Sequence, residues 1–426
     1  MYISLKDSSY RDAPGAGRRT GLAGVSSIVI TLGIVSMLTD ISSESVAAIL
    51  PLYVTSALGL STIAYGFIDG LYQGVSAIVR IGGGWASDRA DRPKWIAFTG
   101  YALSAFAKMW LLLATGFAAI IAVVTIDRLG KGIRTAPRDT LIIAESDPST
   151  LGRSFGVHRM LDTVGATVGP LLAFLILWLI PTGYTVVFVV SLAAAAVGVI
   201  ILGLLVPDRR PRRERTVAGL ARNPFRWKSL TDRRLRRLMV VAALLGVFTI
   251  GDGFVYLSLQ ARADFAALWF PLLYVGTNVA FFIFAVPLGR LADRVGRGRV
   301  FVGGHAALLL AYACTVVPFG GNATTIVCLL LLGAFYAATD GVLAALAGQF
   351  TPEGSTASGI AATQTVVALS RLLASTGFGV LWFGLGRRNA VLVVTAALVV
   401  AIVIAAVLMR PLRRPITTPE EARSSS

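Results

Sequence analysis

The chain has 426 residues, of which 55% are hydrophobic and 14% charged, with a formal net charge of +17 and a mean hydropathy of +0.75. That balance excludes an ordinary soluble globular protein. The positive charge would suggest nucleic acid in a soluble chain, but here its sign follows membrane topology, so no nucleic-acid partner is expected.

A helix crossing a hydrocarbon core of about 30 Å needs about 20 apolar residues. Twelve such stretches are predicted, at residues 28–54, 62–85, 94–114, 117–140, 154–180, 184–206, 238–260, 266–288, 300–318, 325–348, 358–383 and 389–409. The fold class expected is therefore an all-α membrane protein of twelve transmembrane helices in two six-helix bundles. Residues 1–25 read as a polar tail with no cleavable signal, 26–206 as the first bundle, 207–237 as a linker, 238–410 as the second bundle and 411–426 as a second tail. Only Arg262, Arg387 and Arg388 fall on loops opposite the N-terminal side, which predicts both termini in the cytoplasm and an inner-membrane location.

In chain order, the first span carries Asp40 and Glu44, four residues apart and hence on one helical face. The connection after span two reads Gly84-Trp-Ala-Ser-Asp88-Arg89-Ala-Asp-Arg92-Pro-Lys94, a tight polar hairpin. Span four is dense in charge: Asp127, Lys131, Arg134 and Arg138 are spaced by four, three and four residues and fall on one stripe, with Arg128 beside them. Pro137 removes a backbone hydrogen bond near its end. Span five opens on His158, Arg159 and Asp162 and continues with Gly165, Gly169 and Pro170, which predict close helix approach and a hinge.

The linker holds twelve Lys and Arg against three acidic residues, and its reading is topogenic, with an anionic-lipid contact as the alternative. Beyond it, Phe248, Asp252 and Tyr256 lie on span seven, and Tyr336 and Asp340 on span ten. A second hairpin, Gly289-Arg-Leu-Ala-Asp293-Arg294-Val-Gly-Arg297-Gly-Arg299, repeats the first at an offset of 205 residues. Recurrence at half the chain length points to a duplicated bundle, whose halves bind cargo between them near mid-membrane. Cys314 and Cys328 read as small apolar fillers; neither a disulfide nor a metal site is indicated.

The twelve-span plan, the basic central loop and both hairpins resemble the major facilitator superfamily over nearly the whole chain. The first hairpin has Asp91 where a Gly is expected; the second keeps Gly296. Arg128 with Gly132, and Gly165, Gly169 and Pro170, match two further signatures, the last associated with antiporters that export their cargo; Ala173-Phe174 departs from the small pair that often follows. The run Asp127-Arg-Leu-Gly-Lys-Gly-Ile-Arg-Thr-Ala-Pro-Arg-Asp139 is similar to a bacterial branch of uncharacterised or efflux-labelled members. The resemblance implies that spans one, four, seven and ten line a central cavity. It also implies a cytoplasmic gate made of Gly84, Asp88 and Arg89 with Gly289, Asp293 and Arg294, in which Arg138 and Arg159 clamp Asp88 beside Asp162.

Leaving aside Lys94 at the first position of its span, sixteen charges fall inside the predicted spans, eight basic and eight acidic, the latter including Asp69 and Asp139. Unpaired and facing lipid, they would cost on the order of 40 kcal/mol at about 2.5 to 3.5 kcal/mol each, against a net stability of about 5 to 15 kcal/mol. Most must be paired or face water. Asp40 or Glu44 is predicted to carry a proton, with Arg128 and Lys131 as switch partners, because protonating a carboxylate weakens its hold on a cation. The competing reading is a permanent ion-pair network that only holds the spans together. Asp127, Arg134, Asp252, Asp340, Phe248, Tyr256 and Tyr336 are the candidates to face cargo.

The predicted function is a monomeric secondary transporter that exports a small amphipathic or organic molecule in exchange for protons, with no cofactor beyond the proton gradient. The alternatives are a symporter or uniporter for a small organic anion, held by Arg128, Lys131 and Arg134, and a non-transporting sensor or scaffold. An enzyme is not expected: Gly130-Lys131-Gly132 lacks the spacing of a phosphate loop, and no Ser, His and Asp set converges.

Overall fold

The computed structural model describes residues 25–89, 92–147, 150–208, 232–317, 321–351 and 356–410, with backbone alone at residues 77, 80–89, 356 and 357. The two tails and most of the basic linker lie outside the described residues. The first half contains α1 (Ser27–Leu52), extended by a π-helical turn (Tyr53–Ala57), then α2 (Thr62–Arg89), α3 (Pro93–Leu111), α4 (Phe117–Ala144), α5 (Leu151–Leu179) and α6 (Tyr184–Leu205). The second contains α7 (Arg233–Gly246), α8 (Asp252–Ala263), α9 (Phe270–Val295), α10 (Arg297–Val316), α11 (Gly321–Gln349) and α12 (Thr356–Met409). The described chain is all-helical, and seven stretches are long and apolar enough to cross a membrane: 27–57, 151–179, 184–205, 267–295, 297–316, 321–349 and 358–409.

Two differences from the predicted spans have local causes. The stretch predicted as span seven is two helices, because the chain breaks at Thr249, Ile250 and Gly251. A break inside a bundle leaves backbone groups without helical partners. Tyr312 of α10 takes up two of them: its hydroxyl accepts from Ile250 N at 2.9 Å and donates to Phe248 O at 3.0 Å. Conversely, the stretches predicted as spans eleven and twelve are continuous in α12, apart from a kink at Gly386, whose φ of 78° is open to glycine at little cost. Helices α2, α3 and α4 fall outside the seven apolar stretches, and α4 owes this to its charges.

The helices pair in the same pattern in each half. In the first, α1 packs on α5 and α6, α3 on α4 and α6, and α2 on α4; in the second, α7 packs on α12, α10 on α11 and α12, and α9 on α11. Small residues permit the close approaches, as expected where lipid supplies no hydrophobic drive between helices. A Cβ on Gly165 would come within 2.9 Å of Met37 Cα, and one on Gly169 within 2.9 Å of Ile41 O, so α5 lies directly against α1. Ser42 and Ser191 bond across α1 and α6 at 2.8 Å.

The halves meet chiefly where α2 lies along α12 and α5 along α9. Among the described residues, the hydrogen bonds and ring contacts between halves run from mid-helix to the end away from the two hairpins. Thr62 Oγ1 donates to Gly379 O at 3.1 Å, Tyr65 packs edge-on to Phe254 at 4.8 Å, and Phe174 meets Trp269 at 5.4 Å.

Candidate functional site

Two polar centres lie inside the bundle, one in each half. In the first, Lys131 of α4 lies between Asp40 and Glu44 of α1, at 4.0 Å and 3.9 Å. These separations exceed the roughly 2.8 Å of a charge-assisted hydrogen bond, so one ammonium is shared electrostatically by two carboxylates. The Lys131 side chain is 31% exposed, that of Glu44 27% and that of Asp40 13%. The predicted meeting of the acidic face of α1 with α4 is therefore present, and Lys131 makes it.

Arg128 makes its ion pair with Asp127 and not with the acids of α1. It donates to Asp127 through Nη2 and, at 3.0 Å, through Nε, while its guanidinium lies 3.8 Å from the centre of the Tyr72 ring. Lys108 of α3 closes on the other oxygen of Asp127 at 3.1 Å, and the side chains of both are only 5% exposed. A dry triad of this kind, two cations on one carboxylate with the Tyr72 ring beside Arg128, holds α2, α3 and α4 together and is costly to break. Asp127 and Arg128 thus belong to the packing between helices, with Glu44 of α1 still within electrostatic reach of Arg128.

The stripe read along α4 is divided between neighbours. Arg134 points toward α3, donating to Ser104 Oγ at 2.8 Å and lying 4.7 Å from the Tyr101 ring. Arg138 points toward α1, donating to Ser36 Oγ at 3.1 Å and to the adjacent Asp139 at 2.9 Å. Helical spacing placed these residues on one side of α4, but that side spans the crevice between α1 and α3, so alternate members turn to different partners.

The second centre joins α8, α11 and α12. Tyr336 donates to Asp252 at 2.6 Å, Arg371 lies 3.8 Å from Asp340, and its guanidinium sits 5.6 Å from the Tyr336 ring. Asp252, Asp340 and Tyr336 are thus brought together, with Arg371 as the cation between them. Tyr256 is not with them: it is fully buried, donates to Thr277 at 2.7 Å and packs on Phe270 and Tyr274, as core. Phe248 lies at the α7–α8 break, partly buried against the apolar core.

The predicted gate is seen in part. The side chains of Gly84, Asp88 and Arg89 lie outside the described residues. Arg159 pairs with Asp162 at 3.2 Å, and Arg138 is engaged as above. In the second hairpin Asp293 pairs with Arg297 at 3.1 Å, Arg294 is exposed, and Gly289 faces open space. A cavity of about 490 Å³ lies here, lined among others by Asp293, Arg297, Leu346 and Met409, well apart from both polar centres. His158 is buried with no partner at Nε2 among the described residues. Gly165, Gly169 and Pro170 sit buried along the α1 contact.

Sequence reasoning gave no role to Lys108 or to Asp69. Asp69 accepts a hydrogen bond from Ser375 Oγ at 2.6 Å, across 306 residues and from one half to the other. Its signal was available in Gly66, Gly70 and Gly74, a small-residue face at four-residue spacing around it.

Comparison with known proteins agrees with this architecture. An uncharacterised MFS-type transporter of Methanocaldococcus jannaschii is 29% identical over 366 residues, covering 83% of this chain and 88% of that one. An uncharacterised protein of Mycobacterium tuberculosis is 26% identical over 306 residues, covering 70% and 72%. Among solved structures, the nucleoside transporter NupG superposes with a TM-score of 0.75 at 14% identity, covering 90% of this chain and 100% of that one. A bacterial homologue of the human lysosomal transporter Spinster, in an inward-facing and unoccupied conformation, superposes with a TM-score of 0.70 at 14% identity, covering 90% and 96%. At these identities the superpositions show the fold alone. The model of the Major Facilitator Superfamily matches residues 32–375 and 267–425, and the chain belongs to that superfamily of membrane transporters.

Proposed function

We propose that the protein is a proton-coupled antiporter that exports a small amphipathic or organic molecule by alternating access. The observation that carries this reading is the sharing of Lys131 by Asp40 and Glu44. Two carboxylates on one ammonium leave a negative charge in excess, and a proton on either acid balances the group. Protonation loosens one helix-to-helix attraction and deprotonation restores it, which is what coupling proton flow to a rocking motion requires. The trio is more exposed than the Lys108, Asp127 and Arg128 triad, which supports it as the group that protons reach. Asp252, Tyr336, Asp340 and Arg371, the polar centre of the second half, are the cargo-contacting set.

The topology that fits this reading has twelve spans: α1 to α6, α7 with α8 as one broken span, α9 to α11, and the two arms of α12. Charge bias supports cytoplasmic termini in the inner membrane, with the hairpins on the cytoplasmic side. The monomer is the working unit. The alternative, uptake of an organic anion, asked Arg128, Lys131 and Arg134 to bind it. With Arg128 on Asp127 and Arg134 on Ser104, it keeps only Lys131, which already has two acidic neighbours.

The test begins with a thermal-shift screen of the purified protein against metabolites and drugs at two pH values. A stabilising compound is then offered to everted membrane vesicles with an acid lumen. The reading predicts accumulation that a protonophore abolishes. Accumulation indifferent to the protonophore, or loss of compound from the lumen driven by the acid gradient, would contradict it.

A further inference from the structure

A carboxylate sits in the seam between the two halves. Asp69 of α2 is 9% exposed, and its Oδ2 accepts from Ser375 Oγ of α12 at 2.6 Å. Gly251, the cap of α8, presses against the same carboxylate so closely that a Cβ there would come 2.7 Å from Asp69 Cγ. Three elements from the two halves therefore converge on one acid. Between it and the end of α2, Thr62 bonds to Gly379 and Tyr65 packs on Phe254, so the seam continues outward from Asp69.

The other charged or titratable groups that act on Asp69 are Tyr65 on its own helix, Asp252 on α8, Tyr274 on α9 and Arg371 on α12. Arg371 is drawn at once to Asp340 and Tyr336. On the α4 side, Arg128 is engaged with Asp127 and Tyr72. Asp69 thus has a neutral hydroxyl as its hydrogen-bond donor and an acid, Asp252, among its neighbours.

Closing the seam takes Asp69 out of water. A carboxylate so enclosed loses hydration that a single hydroxyl replaces only in part, and the attraction of Arg371 is opposed by the repulsion of Asp252. A carboxylic acid carrying its proton on Oδ1 has no net charge to bury, and its Oδ2 still accepts from Ser375. Opening the seam returns water to the group.

We infer that Asp69 is a second proton-carrying residue, which locks the seam between the halves when protonated and releases it when ionised. The proton is taken from water while the seam is open, forming one O–H bond on Asp69. This rests on the proton-coupled reading above, but names a separate group: Asp40 and Glu44 pair within the first half, whereas Asp69 bridges the two. Falling pH therefore closes the seam and rising pH opens it.

The test uses the full chain in lipid nanodiscs, with Cys314 and Cys328 replaced by Ala and spin labels at Ser56→Cys and Gly384→Cys, exposed positions on the two halves at the seam end. Distances are read by pulsed electron paramagnetic resonance from pH 5 to 9. The wild-type background is expected to lose the short distance as pH rises, with the closed-to-open ratio changing by up to about tenfold per pH unit. Asp69→Asn is expected to hold the short distance at every pH. Ser375→Ala is expected to keep the pH response with a closed-to-open ratio about fivefold lower, the value of one hydrogen bond. A wild-type seam indifferent to pH, or Asp69→Asn following pH as the wild type does, would overturn the inference. Should Asp69→Asn fail to fold, a Ser375→Ala ratio equal to wild type would do the same. Loss of the gradient dependence of transport with the pH-dependent seam intact would instead remove the antiport reading and leave Asp69 its role in the seam.

Discussion

Gly251 lies against the carboxylate of Asp69, with room at that position for a hydrogen but not for a methyl group. Its φ of −63° is open to any residue, so the constraint is the neighbour and not the backbone. Gly251→Ala is expected to destabilise the closed arrangement by about 1 to 3 kcal/mol through overpacking. Pairing it with Asp69→Ala should restore most of the loss. Thermal unfolding of the two single variants and the double variant measures this, and additive losses would place the clash elsewhere.

Tyr312 stands at the break between α7 and α8 as partner to both Ile250 N and Phe248 O. Tyr312→Phe keeps the ring and removes the hydroxyl, leaving two backbone groups without it. A stability loss of about 1 to 3 kcal/mol is expected, together with faster amide exchange at Ile250. Unchanged exchange at that amide would show that the break is held by other means.

The buried triad and the half-exposed pair of Arg159 and Asp162 on α5 should respond very differently to truncation. Asp127→Ala leaves Lys108 and Arg128 charged in a dry place, and a loss of about 3 to 5 kcal/mol is expected. Arg159 is 49% exposed in its pair with Asp162, and Arg159→Ala should cost less than about 1 kcal/mol. Side-by-side melting curves decide this, and equal effects would contradict the assignment of Asp127 to packing.

Gly169 sets the approach of α5 to α1, because a Cβ there would stand 2.9 Å from both Ile41 O and Ser45 N. Gly169→Val would push apart the helix carrying Asp40 and Glu44 from its neighbour, at a cost of about 1 to 3 kcal/mol. Gradient-driven transport should fall further than stability does, since Lys131 depends on where α1 lies. Transport that fell only in proportion to folded protein would separate the α1–α5 contact from coupling.

Much of the architecture is legible in the sequence because lipid imposes a length and an apolar composition on each helix that crosses it. The break at Ile250 was not legible, because the bond that permits it comes from Tyr312, 62 residues away. The polar centre was readable in part. Four-residue spacing put Asp40 beside Glu44, and the charge on α4 supplied candidate partners. Which cation turns to α1 depends on helix rotation: Lys131 does, while Arg128 turns to Asp127 and Tyr72. Tyr256 was placed with the cargo-facing candidates, yet only the fold could reveal Thr277 and Tyr274 enclosing it. Asp69 drew no role for a related reason. Its partner Ser375 belongs to the other half, and the glycines around it mark a contact face without saying what meets it.

The central claim, that Asp40 or Glu44 exchanges a proton as cargo moves, is tested most directly in proteoliposomes loaded with a pH-sensitive dye and given an acid lumen. Adding a transported compound outside should raise the lumenal pH through the wild-type protein, as protons leave in exchange for compound. The Asp40→Asn, Glu44→Gln double variant should bind the compound and leave the lumenal pH where it was. A double variant that still moves protons on addition of compound, at the wild-type rate, would contradict the account.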